Sequence, residues 1–242
     1  MAYQKVFRRF EIKYMLTIEQ KEKLLEVMHT YMELDKYGRT TIRNIYFDTD
    51  DYRLIRHSIE KPVYKEKLRV RSYQVAAPDS EVFVELKKKY KKVVYKRRIH
   101  MPEEQAMKWL CERRPASGES QISEEVDYFL DYYKTLQPKV FLSYEREAYY
   151  SNDGSDFRVT FDENILFRET DLSLREEAWG TSLLEAGNVL MEIKCSGGIP
   201  LWMTHALTEA KIYKTSFSKY GTVYREYIFP RLMEERKHGS II

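Results

Sequence analysis

The sequence is poor in the residues that staple or punctuate a chain. Cys111 and Cys195 are its two cysteines. With no CxxC spacing they make neither a zinc ribbon nor a redox pair. That usage points to a reducing, cytoplasmic compartment. Nine glycines and seven prolines leave little material for long disordered linkers. No apolar run approaches the ~20 residues of a membrane-spanning helix. The start MAYQKVFRRF has charge but lacks the apolar stretch of a signal peptide. No GxxxxGK loop followed by Ser or Thr occurs, so a nucleotide would not be held by a glycine-rich cradle. The five histidines, His29, His57, His100, His205 and His238, lack metal-ligand spacing. No Ser/His/Asp or Cys/His constellation can be assembled.

What is abundant is charge of both signs. A third of the residues (33%) are charged, yet the net charge is only +3, too small to point to nucleic acid by itself. Four segments read as helices. Thr17 and Gln20 form a capping box, followed by Leu24, Leu25, Met28 and Met32 at helical spacing. Met101–Glu112 has Pro102 in its first turn, with Met107, Leu110 and Cys111 inward. Ser120–Leu136 carries Val126, Phe129, Leu130 and Tyr133 on one stripe, and Pro200–Tyr213 is the fourth. The tail from Glu234 reads as frayed.

Eight segments have period-two texture and the length of strands: Val6–Met15, Thr40–Phe47, Val63–Tyr73, Glu81–Lys89, Val93–His100, Val140–Tyr149, Phe157–Glu163 and Val189–Cys195. Lys88–Lys92 fits a hairpin turn. Strand parity sorts their side chains. Lys65, Lys67, Arg69 and Arg71 share one face, opposite Tyr64, Leu68, Val70 and Ser72. Glu85, Lys87 and Lys89 oppose Val82, Val84 and Leu86. Val94, Lys96 and Arg98 fall together. Arg9, Glu11 and Lys13 oppose Phe10, Ile12 and Tyr14. Glu192 and Lys194 oppose Met191, Ile193 and Cys195, and Arg158, Thr160 and Asp162 oppose Val159 and Phe161.

One reading of these stripes is a sheet with one face on a core and one in solvent. Two features favour another. The polar stripe is mostly Lys and Arg, with single carboxylates among them, and cations on neighbouring strands repel. An enclosed polyanion would relieve that repulsion, and phosphate oxygens suit Arg and Lys. Glu11, Glu85, Glu192 and Asp162 then either form salt bridges or share a divalent metal with the phosphates. Tyr beside basic residues (Tyr64, Tyr73, Tyr90, Tyr95) would suit single-stranded nucleic acid. However, the basic residues alternate with apolar ones rather than with aromatics on one face.

A set of motifs then falls in order along the chain. Arg9-Phe10-Glu11-Ile12-Lys13-Tyr14 is followed by Ile45-Tyr46-Phe47-Asp48-Thr49 before a short helix. Lys67-Leu68-Arg69-Val70-Arg71, Glu85-Leu86-Lys87 and Tyr95-Lys96-Arg97-Arg98 come next. Tyr144-Glu145-Arg146, Arg158-Val159-Thr160-Phe161-Asp162, Met191-Glu192-Ile193-Lys194 and Ser216-Phe217-Ser218-Lys219-Tyr220 complete it. On these residues the chain resembles the VTC domain family, the polyphosphate polymerase domains within the CYTH-like triphosphate tunnel metalloenzymes. The match runs from about Phe7 to Tyr224. It departs from the eukaryotic pattern at Ser216, where a basic residue is common, and in a short loop between Lys87 and Lys96.

The resemblance implies one α+β domain spanning the chain, with a core over about residues 7–228 and a flexible tail. Its centre would be a closed eight-stranded antiparallel β-barrel with helices packed outside. The γ-phosphate of ATP would be transferred to polyphosphate inside that barrel, with Mn²⁺ or Mg²⁺. Lys13, Arg69, Arg71, Lys87, Arg146 and Arg158 would carry catalysis. Lys67, Lys96, Lys194 and Lys219 would bind phosphate, and Glu192, with Glu11 and Glu85, would hold the metal. The expected partners are ATP and polyphosphate or triphosphate, not nucleic acid, with any membrane step left to a separate protein. With water as acceptor the same site would hydrolyse triphosphate, and Glu11 or Glu85 would serve as base. A non-catalytic polyphosphate-binding module is the third reading.

Overall fold

The computed structural model describes residues 10–91, 93–114 and 120–239. Arg9, the Val6–Arg9 start of the first expected strand, Lys92 and residues 240–242 lie outside them. In chain order the elements are β1 (Phe10–Thr17), α1 (Ile18–Met28), β2 (Met32–Leu34), β3 (Thr40–Asp48), α2 (Arg53–Ile59), β4 (Tyr64–Ser72), β5 (Glu81–Tyr90), β6 (Val93–Pro102), α3 (Glu103–Glu112), α4 (Gln121–Tyr132), β7 (Gln137–Ser151), β8 (Arg158–Arg168), β9 (Thr181–Ser182), β10 (Asn188–Cys195), α5 (Leu201–Glu209), β11 (Lys214–Thr215), α6 (Lys219–Val223), a π-helical turn (Tyr224–Ile228) and α7 (Phe229–Gly239). None of the described helices is long and apolar enough to cross a membrane.

All eight expected strands are present, and the fold is α+β with antiparallel pairing. The expected closed barrel of eight strands is corrected in two respects. The sheet has 11 strands, because β2, β9 and β11 add two- or three-residue pieces too short to show periodicity. Its order, β11-β1-β10-β8-β7-β3-β4-β5-β6, is an open path whose ends are not joined among the described residues.

The chain divides into two compact units: residues 1–42, 143–165 and 184–216 in the first, residues 43–142, 166–183 and 217–242 in the second. In unit 1 the apolar parity of three strands meets two helices. Tyr14 and Leu16 of β1, Met191 and Ile193 of β10, and Val159 and Phe161 of β8 pack with Leu24 and Met28 of α1 and with Met203 and Leu207 of α5. Thr17 caps α1 through the predicted reciprocal bonds with Gln20, which satisfy two end donors. Met32, expected on this helix, instead starts β2 after the turn.

In unit 2, Leu68 and Val70 of β4 and Val84 and Leu86 of β5 face Trp109 and Leu110 of α3 and Val126, Phe129 and Leu130 of α4. Pro102 occupies the N-cap position of α3 without a side-chain capping bond, and Met101 belongs to β6 rather than to the helix. Cys111 is exposed, not inward, because Ala106, Trp109 and Leu110 take the buried positions. Ser120 caps α4 through Ser123. The C-terminal helix runs through Gly239, past the point where fraying was expected.

Burying one parity of each strand turns the other parity away from α1 and α5 in unit 1 and from α3 and α4 in unit 2. That second parity is the charged one, so the core packing positions the candidate site.

Candidate functional site

Cross-strand register sorts the charged faces into rows, since directly paired residues project to the same side. In unit 2, Arg69 of β4 stands opposite Glu85 of β5, which stands opposite Arg98 of β6. The next row is Lys67, Lys87 and Lys96, and the one after it Lys65, Lys89 and Val94.

Glu85 is the centre of the first row and is only 1% exposed. Arg69 donates from Nε to its Oε2 at 2.7 Å, with the Nη2 at 2.6 Å. Lys96 Nζ lies 2.7 Å and Arg98 Nε 3.3 Å from Oε1, and Arg71 Nε is 3.9 Å from Oε2. Burial alone would push the Glu85 carboxyl up, but Arg69, Arg71 and Lys96 hold it well below the usual carboxylate range. The cluster therefore sets four cations around one fixed anion. Burial and the neighbouring guanidiniums push Lys96 down, against the pull of Glu85.

Tyr46 extends this centre. Arg69 Nη1 donates to its hydroxyl at 2.8 Å. Burial raises the phenol, yet Arg69, Arg71 and Lys219 bring it below its ordinary value. Its ring packs against Tyr220 at 5.1 Å. Tyr220 in turn donates to Asp48 Oδ2 at 2.9 Å. Asp48 is fully buried and also accepts from the backbone of Thr49, Leu54 and Ile55. It thus fixes the start of α2 and ties α6 to it. Ser218 caps α6, and Lys67 Nζ lies 3.2 Å from Ser218 Oγ. Lys219 is the first residue of that helix, so the Ser-Lys-Tyr segment is pinned beside the strand cations.

In unit 1 the rows mix signs. Lys13, Glu192 and Thr160 form one, Glu11, Lys194 and Arg158 the next. Glu192 has Lys194 Nζ at 2.7 Å and Lys13 Nζ at 3.6 Å. Burial works to raise its carboxyl, but Lys194, Lys13 and Arg146 hold it well below the ordinary value. Arg146 makes a two-pronged pair with Asp162, Nε to Oδ1 at 2.6 Å and Nη2 to Oδ2 at 2.7 Å. Arg158 donates to the Tyr150 hydroxyl, while its Nε is buried with no hydrogen-bond partner. Glu11 is exposed at the start of β1.

Each unit therefore gathers its own subset of the expected residues. Arg69, Arg71, Lys67, Lys87, Lys96, Lys219 and Glu85 belong to unit 2, and Lys13, Arg146, Arg158, Lys194, Glu11 and Glu192 to unit 1. Arg98 and Tyr46 were given no site role from the sequence. Arg98 shares the parity of Lys96 and was legible on that ground; the aromatic partner of Arg69 had no sequence signal beyond its place in a motif.

Among the described residues no group of three or more His, Cys, Asp or Glu side chains gathers as a metal cage. Asp162 is committed to Arg146, and Glu85 is enclosed by cations. Glu192, expected as the metal ligand, is likewise paired with cations, Lys194 and Lys13.

Solved structures share this fold. One is a candidate adenylate cyclase of Bacillus halodurans, 15% identical, with a TM-score of 0.54 over 92% of this chain and 98% of that one. Another is a candidate adenylyl cyclase of Hippeastrum with a dominant triphosphatase activity, 16% identical, with a TM-score of 0.51 over 89% and 94%. No curated protein gives a match. The sequence matches the VTC domain over residues 8–227, and the chain belongs to that family.

Proposed function

We propose that this chain is a polyphosphate polymerase, transferring the γ-phosphate of ATP onto inorganic polyphosphate with Mn²⁺ or Mg²⁺. The observation that carries the reading is the Glu85 cluster: four cations set around one buried carboxylate, continued on the same face by Lys67 and Lys87. Phosphoryl transfer needs positioned positive charge far more than covalent chemistry, and this face offers it on rigid strands.

In unit 2, Arg69, Arg71 and Lys87 neutralise charge on a bound phosphoryl group, and Lys67, Lys96 and Lys219 hold flanking phosphates. In unit 1, Lys13, Arg146 and Arg158 are the corresponding expected catalytic cations and Lys194 the expected phosphate ligand. Glu192 would hold the divalent ion, which would supply positive charge to the phosphates. Glu85 has a different role from the metal ligand or base expected of it. A buried carboxylate kept ionised by surrounding cations is a weak base, and here it fixes the geometry of Arg69, Lys96 and Arg98. Glu11, exposed at the strand end, is the weaker of the expected metal ligands.

Incubation with ATP and Mn²⁺ should yield polyphosphate visible on a gel. Absence of polymer across metals and primers would refute the polymerase. The triphosphatase activity of the Hippeastrum relative supports a second reading, hydrolysis of triphosphate. Orthophosphate release from tripolyphosphate without polymer formation would select it.

A further inference from the structure

The row beyond the expected phosphate ligands is also cationic. Lys65 of β4 stands directly opposite Lys89 of β5, on the face that carries Lys67 and Lys87. Both are half-buried. Lys65 donates to the Ser58 carbonyl at 3.2 Å. Among the described residues neither it nor Lys89 has a carboxylate within ion-pair distance. Lys89, Lys87 and Lys61 crowd it with like charge, and with burial they lower its affinity for a proton.

The reverse face of the same strands shows what a purely structural lysine receives here. Lys88 lies 3.3 Å from Glu125, and Arg97 3.0 Å from the same carboxylate. The chain thus neutralises its cations on the helix-covered face and leaves a directly opposed lysine pair on the other. Such a pair destabilises a sheet unless an anion joins it.

Successive rows on one face of a strand lie ~7 Å apart. The Arg69 row and the Lys65 row are two rows apart, ~13 Å along the strands. Three phosphates joined by two bridging oxygens are shorter than that span. We infer that Lys65 and Lys89, with Lys61 beside them, form a distal subsite that holds the later phosphates of a long polyphosphate chain and is out of reach of a triphosphate bound at the Glu85 centre. This deepens the proposed function and rests on it: the subsite selects for chain length.

The test is a Lys65→Ala/Lys89→Ala variant, titrated with tripolyphosphate and with long-chain polyphosphate. Long-chain affinity should fall about tenfold, the effect of losing roughly 1.4 kcal/mol of cation contacts, while tripolyphosphate affinity stays as in the unaltered protein. Without ligand, the melting temperature should hold or rise, because like-charge repulsion is relieved. Equal losses for both ligands, no loss for either, or a lowered melting temperature would overturn the subsite while leaving the proposed function standing. Failure of the unaltered protein to bind either ligand would overturn both. Tighter binding of a single-stranded oligonucleotide than of polyphosphate would overturn the assignment of the ligand.

Discussion

In unit 1 each charged row carries a carboxylate among its cations: Glu192 beside Lys13, and Glu11 beside Lys194 and Arg158. In unit 2 a single carboxylate, Glu85, organises the first row, and the next two rows hold five lysines and no acid. Both units bury their apolar parity against helices, so the contrast lies on the other parity. Rows of mixed sign pair their own charges, whereas rows of one sign hold an anion by charge alone. The phosphates proposed along β4, β5 and β6 rest on that difference; the metal proposed at Glu192 is a separate reading of unit 1.

The strongest test of the contrast removes cations from unit 2. Arg69→Ala together with Arg71→Ala should abolish measurable binding of tripolyphosphate by calorimetry. Each single change should cut turnover by about 10²–10³. In unit 1, Glu192→Gln should lower metal-dependent turnover by about 10² but leave metal-free phosphate binding equal or tighter, since a negative charge is lost. If phosphate binding collapses instead, Glu192 is part of the phosphate-holding framework and the contrast fails.

Glu85→Gln should act on folding. Removing a buried partner typically costs roughly 3–5 kcal/mol, but Lys96 and Arg98 are part-exposed and screened, so about 2 kcal/mol is expected in a denaturant titration. Tripolyphosphate should restore that loss by supplying the missing negative charge. The acid limb of stability sharpens this point. The Glu85 carboxyl is held low by its cations, and in unit 1 that of Glu163 by Lys21 and Arg39, both against the opposing push of burial. Groups depressed on folding stabilise above their unfolded pKa of about 4.3 and lose that contribution as pH falls below it. The melting temperature should therefore fall on acidification below about pH 4.3, and less steeply in the Glu85→Gln variant.

The smallest effects should be the same in both units. Thr17→Ala in unit 1 and Ser120→Ala in unit 2 each remove a helix cap. Each should cost about 1 kcal/mol of stability with unchanged phosphate affinity.

Much of this was legible because alternation is a local property. Strand parity placed Lys67, Arg69 and Arg71 on one face and Leu68 and Val70 on the other, and the structure keeps that division. The helix cap at Thr17 was readable for the same reason, since its partner lies three residues on. Met32 and Met101 were assigned to helices because apolar spacing continues past a helix end without marking it. The two- and three-residue strands β2, β9 and β11 hold too few residues for any period to show.

The sequence by itself determined which residues share a face, which segments are strands and which cations cluster along each strand, because a period of two is written into the chain. Only the tertiary structure decided which rows meet, that Glu85 is enclosed by Arg69, Arg71, Lys96 and Arg98, and that the sheet follows an open path. Register and closure depend on contacts between residues far apart in the chain, and the side-chain period of one strand carries no information about its neighbour's offset.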